Sequence, residues 1–325
     1  MLQLILIILF AAGGKIEHTS IELTGLPQIN PSTILIDDKQ NCWVSDYSEH
    51  IVAKFAADGK YLFQLGRDGH GPGEIFKPYA MVLLDEDQTI LVSSNQGQTQ
   101  YFGTKTGAYL KQRLPISFMF QAFALEHDKI FLPFSPLPGK KTVHHIINRK
   151  GEVLDGWFSK AWLEAYVMKK ESTGSFQTAF MHDDHTVYFA DPYHPVVLYL
   201  KKKEKEPRKW ELRIPKGFRE VPAPLPPGAG FDPIKHDKWY NSFSKLFIYP
   251  LGKNYLAASW LNSEFAPNIL QIYNIKTKEL VVNNVETINY IRYANENKLY
   301  CTEIRDSGNI DDYDRLFLHT YTFIQ

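Results

Sequence analysis

The stretch Ile34–Pro78 reads ILIDDKQNCWVSDYSEHIVAKFAADGKYLFQLGRDGHGPGEIFKP and contains one complete unit of four short strands. Its β-branched and aromatic runs are separated by the turn DDKQ, the loop YSEH and the turn AADG, and a glycine-rich segment follows the last run. Similar turns return at Thr104–Gly107 and Arg149–Gly151, each before another β-rich run. A repeat of roughly 40 to 50 residues with four strands predicts a β-propeller.

Five more units with the same rhythm follow the first one. Their first predicted strands are Tyr79–Asp85, Gln121–Leu125, Gln177–Met181, Lys245–Pro250 and Ile288–Ala294. The sixth unit ends after its third strand, Arg315–Ile324, and Ile16–Leu23 near the other end of the chain can supply the fourth. We therefore predict an all-β chain in which residues 15–325 form one domain. That domain is a six-bladed β-propeller of four-stranded antiparallel blades, with the ring closed by the N-terminal strand in the last blade.

Two insertions, at residues 159–176 and 215–243, interrupt the strand rhythm. The first begins with Ser159, which can cap a short helix with one apolar face. The residues on that face are Ala161, Trp162, Ala165 and Tyr166. The second begins with a proline-rich arm, which cannot form a regular helix or strand, and then reaches Trp239 and Tyr240. Strand parity places both insertions on the face that carries the loops between second and third strands, where propellers usually bind ligands.

The N-terminus carries an apolar run, Leu2–Phe10, followed by the small residues Ala11–Gly14. The run is too short for an ordinary membrane span and is typical of a secretory signal, although no positively charged residue precedes it. We predict that residues 1–14 are a signal peptide and that the mature chain is periplasmic or secreted, with no membrane span after signal removal. A buried first strand or a short membrane anchor is the alternative interpretation.

The composition argues against a nucleic-acid partner and against a small domain held together by disulfide bonds. Lys plus Arg and Asp plus Glu both number 36, so the formal net charge is zero. A nucleic-acid-binding protein needs a basic face, and the sequence therefore predicts no nucleic-acid partner. The two cysteines, Cys42 and Cys301, cannot form the disulfide framework of a small secreted domain, and we expect two buried free thiols.

Part of the first unit resembles an NHL-type repeat. The resemblance is carried by Trp43–Asp46, Phe55–Gly66 and Gly69–Pro78, and the later units lack the GPGxF exit of that repeat. The whole chain is similar to the six-bladed, NHL-like propellers that are common among exported bacterial proteins. The resemblance implies the fold, and relatives of this shape include protein-binding modules, sugar-lactone hydrolases with a central divalent ion, and lyases.

The predicted second strands end in a series of Asx residues. These are Asp46, Asn95, Asp191, Asn262 and Asp306. Such residues cap turns through their own side chains, which is the interpretation that we favour. Oxygen ligands that converge on one axis could instead hold Ca²⁺. In that alternative the protein is a divalent-metal-dependent, lactonase-like hydrolase that uses the first four of these residues in its central funnel.

No GxSxG, HExxH, P-loop or dinucleotide-binding motif occurs in the sequence. We therefore favour a non-catalytic propeller without a cofactor, which recognises a protein, peptide or glycan on its insertion-bearing face. Aromatic and mixed-charge residues predicted on that face suit such ligands. The candidates are Tyr47, His50, Arg67, His70, Tyr193, His194, Trp239, Tyr240 and Trp260.

Overall fold

The structure is a computed structural model of the chain. The residues that it describes are 6–8, 14–26, 29–85, 88–94, 98–114, 116, 122–125, 129–135, 137–169, 179–182, 185–191, 194–220, 232–261, 267–289, 291–306 and 314–325.

Strands dominate the described residues. In chain order they are β1 (Leu6–Ile8), β2 (Lys15–Leu23), β3 (Pro31–Ile36), β4 (Cys42–Asp46), β5 (Ile51–Phe55), β6 (Tyr61–Leu65), β7 (Pro78–Leu84), β8 (Thr89–Ser94), β9 (Gln98–Gly103), β10 (Tyr109–Leu114), β11 (Phe123–Leu125), β12 (Lys129–Leu132), β13 (Thr142–Ile147), β14 (Val153–Ser159), β15 (Ala179–Met181), β16 (Thr186–Ala190), β17 (Val196–Lys201), β18 (Arg208–Glu211), β19 (Lys245–Leu251), β20 (Tyr255–Leu261), β21 (Asn268–Asn274), β22 (Leu280–Thr287), β23 (Tyr293–Asn295), β24 (Lys298–Arg305) and β25 (Arg315–Ile324). Two helices, α1 (Lys160–Lys169) and α2 (Pro233–Tyr240), lie between strands.

These strands form six sheets, which are the blades of a six-bladed β-propeller. Five sheets are four-stranded and follow chain order, as β3–β6, β7–β10, β11–β14, β15–β18 and β19–β22. Neighbouring strands within them are antiparallel, with Trp43 opposite Lys54 and Leu256 opposite Tyr273, for example. The predicted architecture is confirmed.

The last blade contains both ends of the chain, in the strand order β1-β2-β25-β24-β23. The prediction that the N-terminal strand lies beside the C-terminal strand is therefore confirmed, and β1 adds a fifth strand to this sheet. Arg315 on β25 forms a bidentate ion pair with Glu22 on β2. Just after β2, the backbone N–H of Thr24 donates to Gly59 O at 2.8 Å, and Tyr61 N donates to Thr24 O at 2.9 Å.

Burial shows where the core lies. Every residue of β4 and of β8 is buried, whereas β6 alternates between partly buried and exposed residues before the buried Leu65 at its end. An inner or middle strand is covered on both faces by neighbouring blades, which is why its sequence need not alternate. One core cluster joins Leu84 and Leu91 of the second blade to Ile130 and Leu132 of the third.

The chain divides into two compact units. The first contains residues 18–157 and 300–320, and the second contains residues 6–17, 158–299 and 321–325. The candidate site described below lies within the first unit.

The first insertion contains the predicted helix α1. The Trp162 N–H donates to Ser159 Oγ at 3.3 Å, so Ser159 caps the helix as expected. The predicted apolar face is wrong in part, because Ala161 and Ala165 are exposed. Trp162 is partly buried, and its ring lies 5.2 Å from that of Phe158. A helix this short is held by that local contact and its cap.

The helix α2 in the second insertion was not predicted. Its start has a recognisable signal, since Asp232 Oδ1 accepts the Lys235 N–H at 3.2 Å and Pro233 occupies the first helical position. Neither helix in the described part of the chain is long and apolar enough to cross a membrane.

The two cysteines lie in second strands, Cys42 in β4 and Cys301 in β24. Both are buried, and neither forms a disulfide bond with another described residue. Burial raises the pKa of the Cys42 thiol, so this side chain is a protonated, apolar core residue at neutral pH.

Candidate functional site

The loop between β4 and β5 packs against the glycine-rich connection from β6 to β7. Side chains from the loop, the connection and the first residues of β7 form one group, which we call the crossover cluster. Its members are Tyr47, His50, Asp68, His70, Phe76, Lys77 and Tyr79. The cluster confirms, for the first blade, that the connection between blades lies beside the loop between the second and third strands.

The backbone of the connection is fixed by internal hydrogen bonds. Ile75 N donates to Arg67 O at 2.8 Å, and Gly69 N donates to Ile75 O at 3.2 Å. Gln100 of β9 clamps the same segment, because its Nε2 donates to Glu74 O at 2.6 Å while its Oε1 accepts the Gly73 N–H at 2.7 Å. The connection is therefore a folded element that presents its side chains in fixed positions.

A glycine is required where the connection begins. Gly66 has a φ of 58°, and a Cβ atom at this position would lie 2.7 Å from Gly73 O. A backbone oxygen cannot move away as the end of a flexible side chain can. The segment can approach itself this closely because Gly66 has no side chain.

Arg67, a predicted ligand-face residue, braces the connection. Its Nε and a terminal nitrogen donate to Glu74 Oε1 at 2.9 and 2.7 Å, and Glu74 Oε2 accepts the Gly71 N–H at 2.7 Å. The hydrogen bond from Gly71, followed by that from Arg67, holds the pKa of Glu74 below its usual range. The guanidinium of Arg67 is thus already paired with a carboxylate.

His50 and His70 enclose one aromatic ring. His50 has a φ of 60°, a left-handed conformation that is uncommon outside glycine. Its Nδ1 lies 2.7 Å from Asp68 Oδ1, and because a carboxylate only accepts, Nδ1 carries the hydrogen and Nε2 is an acceptor in the neutral ring. The ring of Phe76 lies 4.3 Å from that of His50 and 4.2 Å from that of His70.

Lys77 and two tyrosines form the other side of the cluster. Lys77 also has a left-handed φ, 51°, and its Nζ lies 5.2 Å from the centre of the Tyr47 ring and 5.5 Å from that of Phe76. The hydroxyl groups of Tyr47 and Tyr79 are 3.3 Å apart. The hydrogen bond with Tyr47 raises the pKa of Tyr79, so the Tyr79 phenol is a neutral hydrogen-bonding group at physiological pH.

Together these groups offer ring faces, a cation, two hydroxyls and an oriented imidazole on one surface. As residues, Tyr47, Phe76, Tyr79, His50 and Lys77 are each partly exposed. Such a combination of apolar faces with a few polar groups at fixed positions is typical of a binding site.

Asp46, which stands at the end of β4, caps the loop that supplies Tyr47 and His50. Its Oδ2 accepts the Asn30 N–H at 2.5 Å, and its Oδ1 accepts the N–H groups of Ser48 and Glu49 at 2.8 and 3.0 Å. The carboxylate is buried. Three backbone hydrogen bonds account for its position without any bound ion.

The other members of the Asx series give less information on a metal. Asp191 is buried, and its Oδ1 lies 3.0 Å from Nδ1 of His194. Asn95 and Asn262 lie outside the described residues. Among the residues that are described, no group of three or more His, Cys, Asp and Glu side chains could hold a metal ion.

The second unit contains the remaining ligand-face candidates, and the structure corrects two of them. Trp260 is fully buried, with its Nε1 donating to Gln271 Oε1 at 3.1 Å, and Trp239 is buried against Phe243, with the rings 4.9 Å apart. These two tryptophans are core residues and present no surface to a ligand. The His194 side chain is 47% exposed.

Two further candidates cannot be assigned to the surface or to the core. Tyr193 lies outside the described residues, and so does the side chain of Tyr240.

Sequence reasoning missed three members of the crossover cluster, namely Phe76, Lys77 and Tyr79. They lie at the exit of the glycine-rich connection and at the start of β7, around Pro78. The available signal was the run Phe76-Lys77-Pro78-Tyr79, which directly follows the tight connection. A run at this position lies beside the preceding loop between β4 and β5.

Comparison with solved structures finds the same architecture at low sequence identity. A member of the DUF4221 family from Bacteroides vulgatus is 11% identical with a TM-score of 0.65, and the match covers 99% of each chain. A Bacteroides fragilis protein described as exported is 12% identical with a TM-score of 0.61, covering 94% of each chain. The beta-propeller domain of Cps50 (Swd1) from Myceliophteria thermophila is 9% identical with a TM-score of 0.50, covering 93% of this chain and 99% of that one. At these identities the likeness shows the fold alone.

Comparison with curated proteins finds no match. The model of one protein family, DUF5128, described as a 6-bladed beta-propeller, matches residues 28–211, which is more than half of the chain. The chain therefore belongs to the DUF5128 family of 6-bladed beta-propellers.

Proposed function

We propose that this protein is an exported, non-catalytic propeller that binds a protein, peptide or glycan through the crossover cluster. The observation that carries the proposal is the packing of the β4–β5 loop against the β6–β7 connection. This packing brings three partly exposed rings, a lysine and an Asp-oriented histidine onto one surface. A surface of this kind binds through stacking and directed hydrogen bonds.

The proposal of export rests on the N-terminal sequence. The apolar run Leu2–Phe10 and the small residues after it have the pattern of a secretory signal. The description of the Bacteroides fragilis neighbour as an exported protein agrees with this location. We extend the proposal to a periplasmic or secreted mature chain that begins near Lys15, and to a first blade of the NHL-repeat kind, whose glycine-rich exit carries the cluster.

A binding role is favoured over the metal-dependent hydrolase because Asp46 is occupied by three backbone N–H groups. Backbone groups thus use three of the roughly four acceptor sites of this carboxylate, two of them through the loop that it caps and one through Asn30. Elemental analysis of the purified protein tests this preference, since a stoichiometric divalent ion would contradict it.

The binding site is tested with one variant and one matched control. The purified protein is applied to an array of glycans and peptides, and Phe76→Ala is compared with Leu62→Ala. Leu62 is an exposed apolar residue of β6 in the same blade and lies outside the cluster. Binding that is lost in Phe76→Ala and retained in Leu62→Ala, with equal melting temperatures, supports the proposal. Unchanged binding of every captured ligand to Phe76→Ala would contradict it.

A further inference from the structure

We propose that the ligand of the crossover cluster is an acidic oligosaccharide, whose carboxylate or sulfate group is bound by Lys77. This inference rests on the proposed function, because it names the chemistry of the ligand at the same surface. It follows from three observations: the ion pairing of the Lys77 ammonium group, the polar side chains beside it, and the hydrogen bonding of the backbone amides in the connection.

Lys77 differs from three other cations of the first blade, namely Lys54, Lys60 and Arg67. Lys54 has a carboxylate at 3.3 Å in Asp37, Lys60 has one at 2.8 Å in Asp58, and Arg67 is paired with Glu74. Among the described residues, Lys77 has neither a carboxylate within ion-pair distance nor a hydrogen-bond acceptor. Its ammonium is placed by ring faces, which attract a cation but leave its N–H groups available. An anionic ligand group would complete this site with a charge-assisted hydrogen bond.

The groups next to Lys77 suit the hydroxyls and ring faces of a sugar. The paired hydroxyls of Tyr47 and Tyr79 have one hydrogen left to donate, since only one of the two is used between them. In the neutral ring, the bond from His50 Nδ1 to Asp68 leaves Nε2 as an acceptor. Donor and acceptor thus lie beside the partly exposed ring of Phe76, and a sugar presents hydroxyls at its rim and C–H groups on its faces.

An extended peptide is a poorer match for this surface. Peptides that bind as an added strand need free backbone donors and acceptors on the protein. In the connection, the N–H groups of Gly69 and Ile75 are paired with the carbonyl groups of Ile75 and Arg67. These amides are therefore not available for strand addition, and recognition here depends on side chains.

The test uses a glycan array in which each uronic-acid or sulfated oligosaccharide stands beside its carboxyl-reduced or desulfated form, together with acidic peptides. We expect the acidic forms to bind and the neutralised forms to bind at least about tenfold more weakly, as the loss of a charge-assisted hydrogen bond implies. Lys77→Gln should reduce affinity for the acidic form by a similar factor, and Lys77→Arg should retain most of it. Lys60→Gln removes an equal charge from a paired lysine of the same blade and should have no effect.

The possible outcomes separate this inference from the proposed function. Equal binding of acidic and neutralised glycans, or full binding by Lys77→Gln, overturns the role of Lys77 and leaves the binding propeller in place. Binding of the acidic peptides alone overturns the carbohydrate class and also leaves the site in place. Binding of no member of either set by the wild-type protein overturns this inference, whereas the proposed function is contradicted only if the general array of glycans and peptides captures no ligand either.

Discussion

Two residues with left-handed backbone, His50 and Lys77, determine how the crossover cluster faces solvent. Both have φ values near 50–60°, where a non-glycine side chain is tolerated only if its surroundings hold it. His50 is held by Asp68 and Phe76, and Lys77 by two aromatic rings. The side chains that we assign to ligand binding are therefore fixed before any ligand arrives, which reduces the entropy lost on binding.

Asp46 lies beneath this cluster and provides a test of turn capping against ion binding. We expect Asp46→Ala to lower the free energy of unfolding by about 1–3 kcal/mol, because buried backbone N–H groups lose their acceptor. Thermal unfolding measures this loss, and Ca²⁺ and a chelator should give the same melting temperature for the wild-type protein. Stabilisation of the wild-type protein by Ca²⁺, absent from Asp46→Ala, would support the ion-binding alternative instead.

Among the elements, β2 joins the N-terminal part of the chain to the C-terminal strand. It pairs along β25 and is tied to it by Glu22 and Arg315. Directly after β2, the backbone of Thr24 forms hydrogen bonds with Gly59 and Tyr61 of the first blade. Without β2, the edge of β25 would expose unpaired backbone groups.

Truncation tests this element. A chain that begins at Leu26 loses the ladder of hydrogen bonds between β2 and β25, each contributing about 0.5–1.5 kcal/mol net, against a total stability of about 5–15 kcal/mol. We expect it to be unfolded or aggregated, whereas a chain that begins at Lys15 should melt as a cooperative unit. Equal melting temperatures for the two chains would show that β2 does not complete the last blade.

The pairing of β2 with β25 also brings two histidines together. His18 Nε2 and His319 Nδ1 are 3.0 Å apart, and His319 Nε2 donates to Glu303 Oε2 at 3.0 Å. Burial and the neighbouring His319 lower the pKa of His18, and burial lowers that of His319 although Glu303 opposes the shift. Both rings are consequently neutral in the folded protein near pH 7.

These lowered pKa values predict that acid destabilises the last blade. In the unfolded chain both histidines titrate near 6.5, so below that pH the unfolded state binds more protons and the free energy of unfolding falls. Above about pH 7 this contribution is complete and constant. His18→Gln removes one titrating group and should give a shallower loss of stability between pH 7 and 5, measured by denaturant unfolding. A slope identical to that of the wild-type protein would contradict the prediction.

The blades could be predicted from the sequence because their signals are local. The runs Cys42–Asp46 and Ile51–Phe55 are bounded by turn residues, and strand pairing between consecutive runs follows from short loops. The helix α2 also had a local signal, Asp232–Pro233, which the preceding proline-rich arm obscured.

The site was less predictable because exposure depends on residues that are distant in sequence. Trp260 and Tyr47 are both aromatic residues near strand ends, yet Trp260 is covered by Phe218 and Gln271 while Tyr47 stays at the surface. The contact of Tyr47 with Lys77 likewise appears only when the connection folds back over the loop.

For the molecule as a whole, the six-bladed fold restricts function very little. Similar propellers occur in a DUF4221 protein and in the Cps50 (Swd1) domain, and a shared fold does not imply a shared activity. The neutral net charge gives no broad electrostatic attraction to a partner. Function must therefore be argued from a particular surface, and the crossover cluster is the surface on which our proposal rests.

Backbone hydrogen–deuterium exchange, with and without a ligand captured on the array, tests this central claim most directly. A ligand that binds the crossover cluster should slow exchange at residues 47–50 and 66–77, whose amides lie in the loop and the connection. The same ligand should leave exchange unchanged in the turn at residues 56–60, at the other end of the first blade. Slowed exchange confined to residues 194–196 or 232–243, with no change at 47–50 and 66–77, would contradict the account.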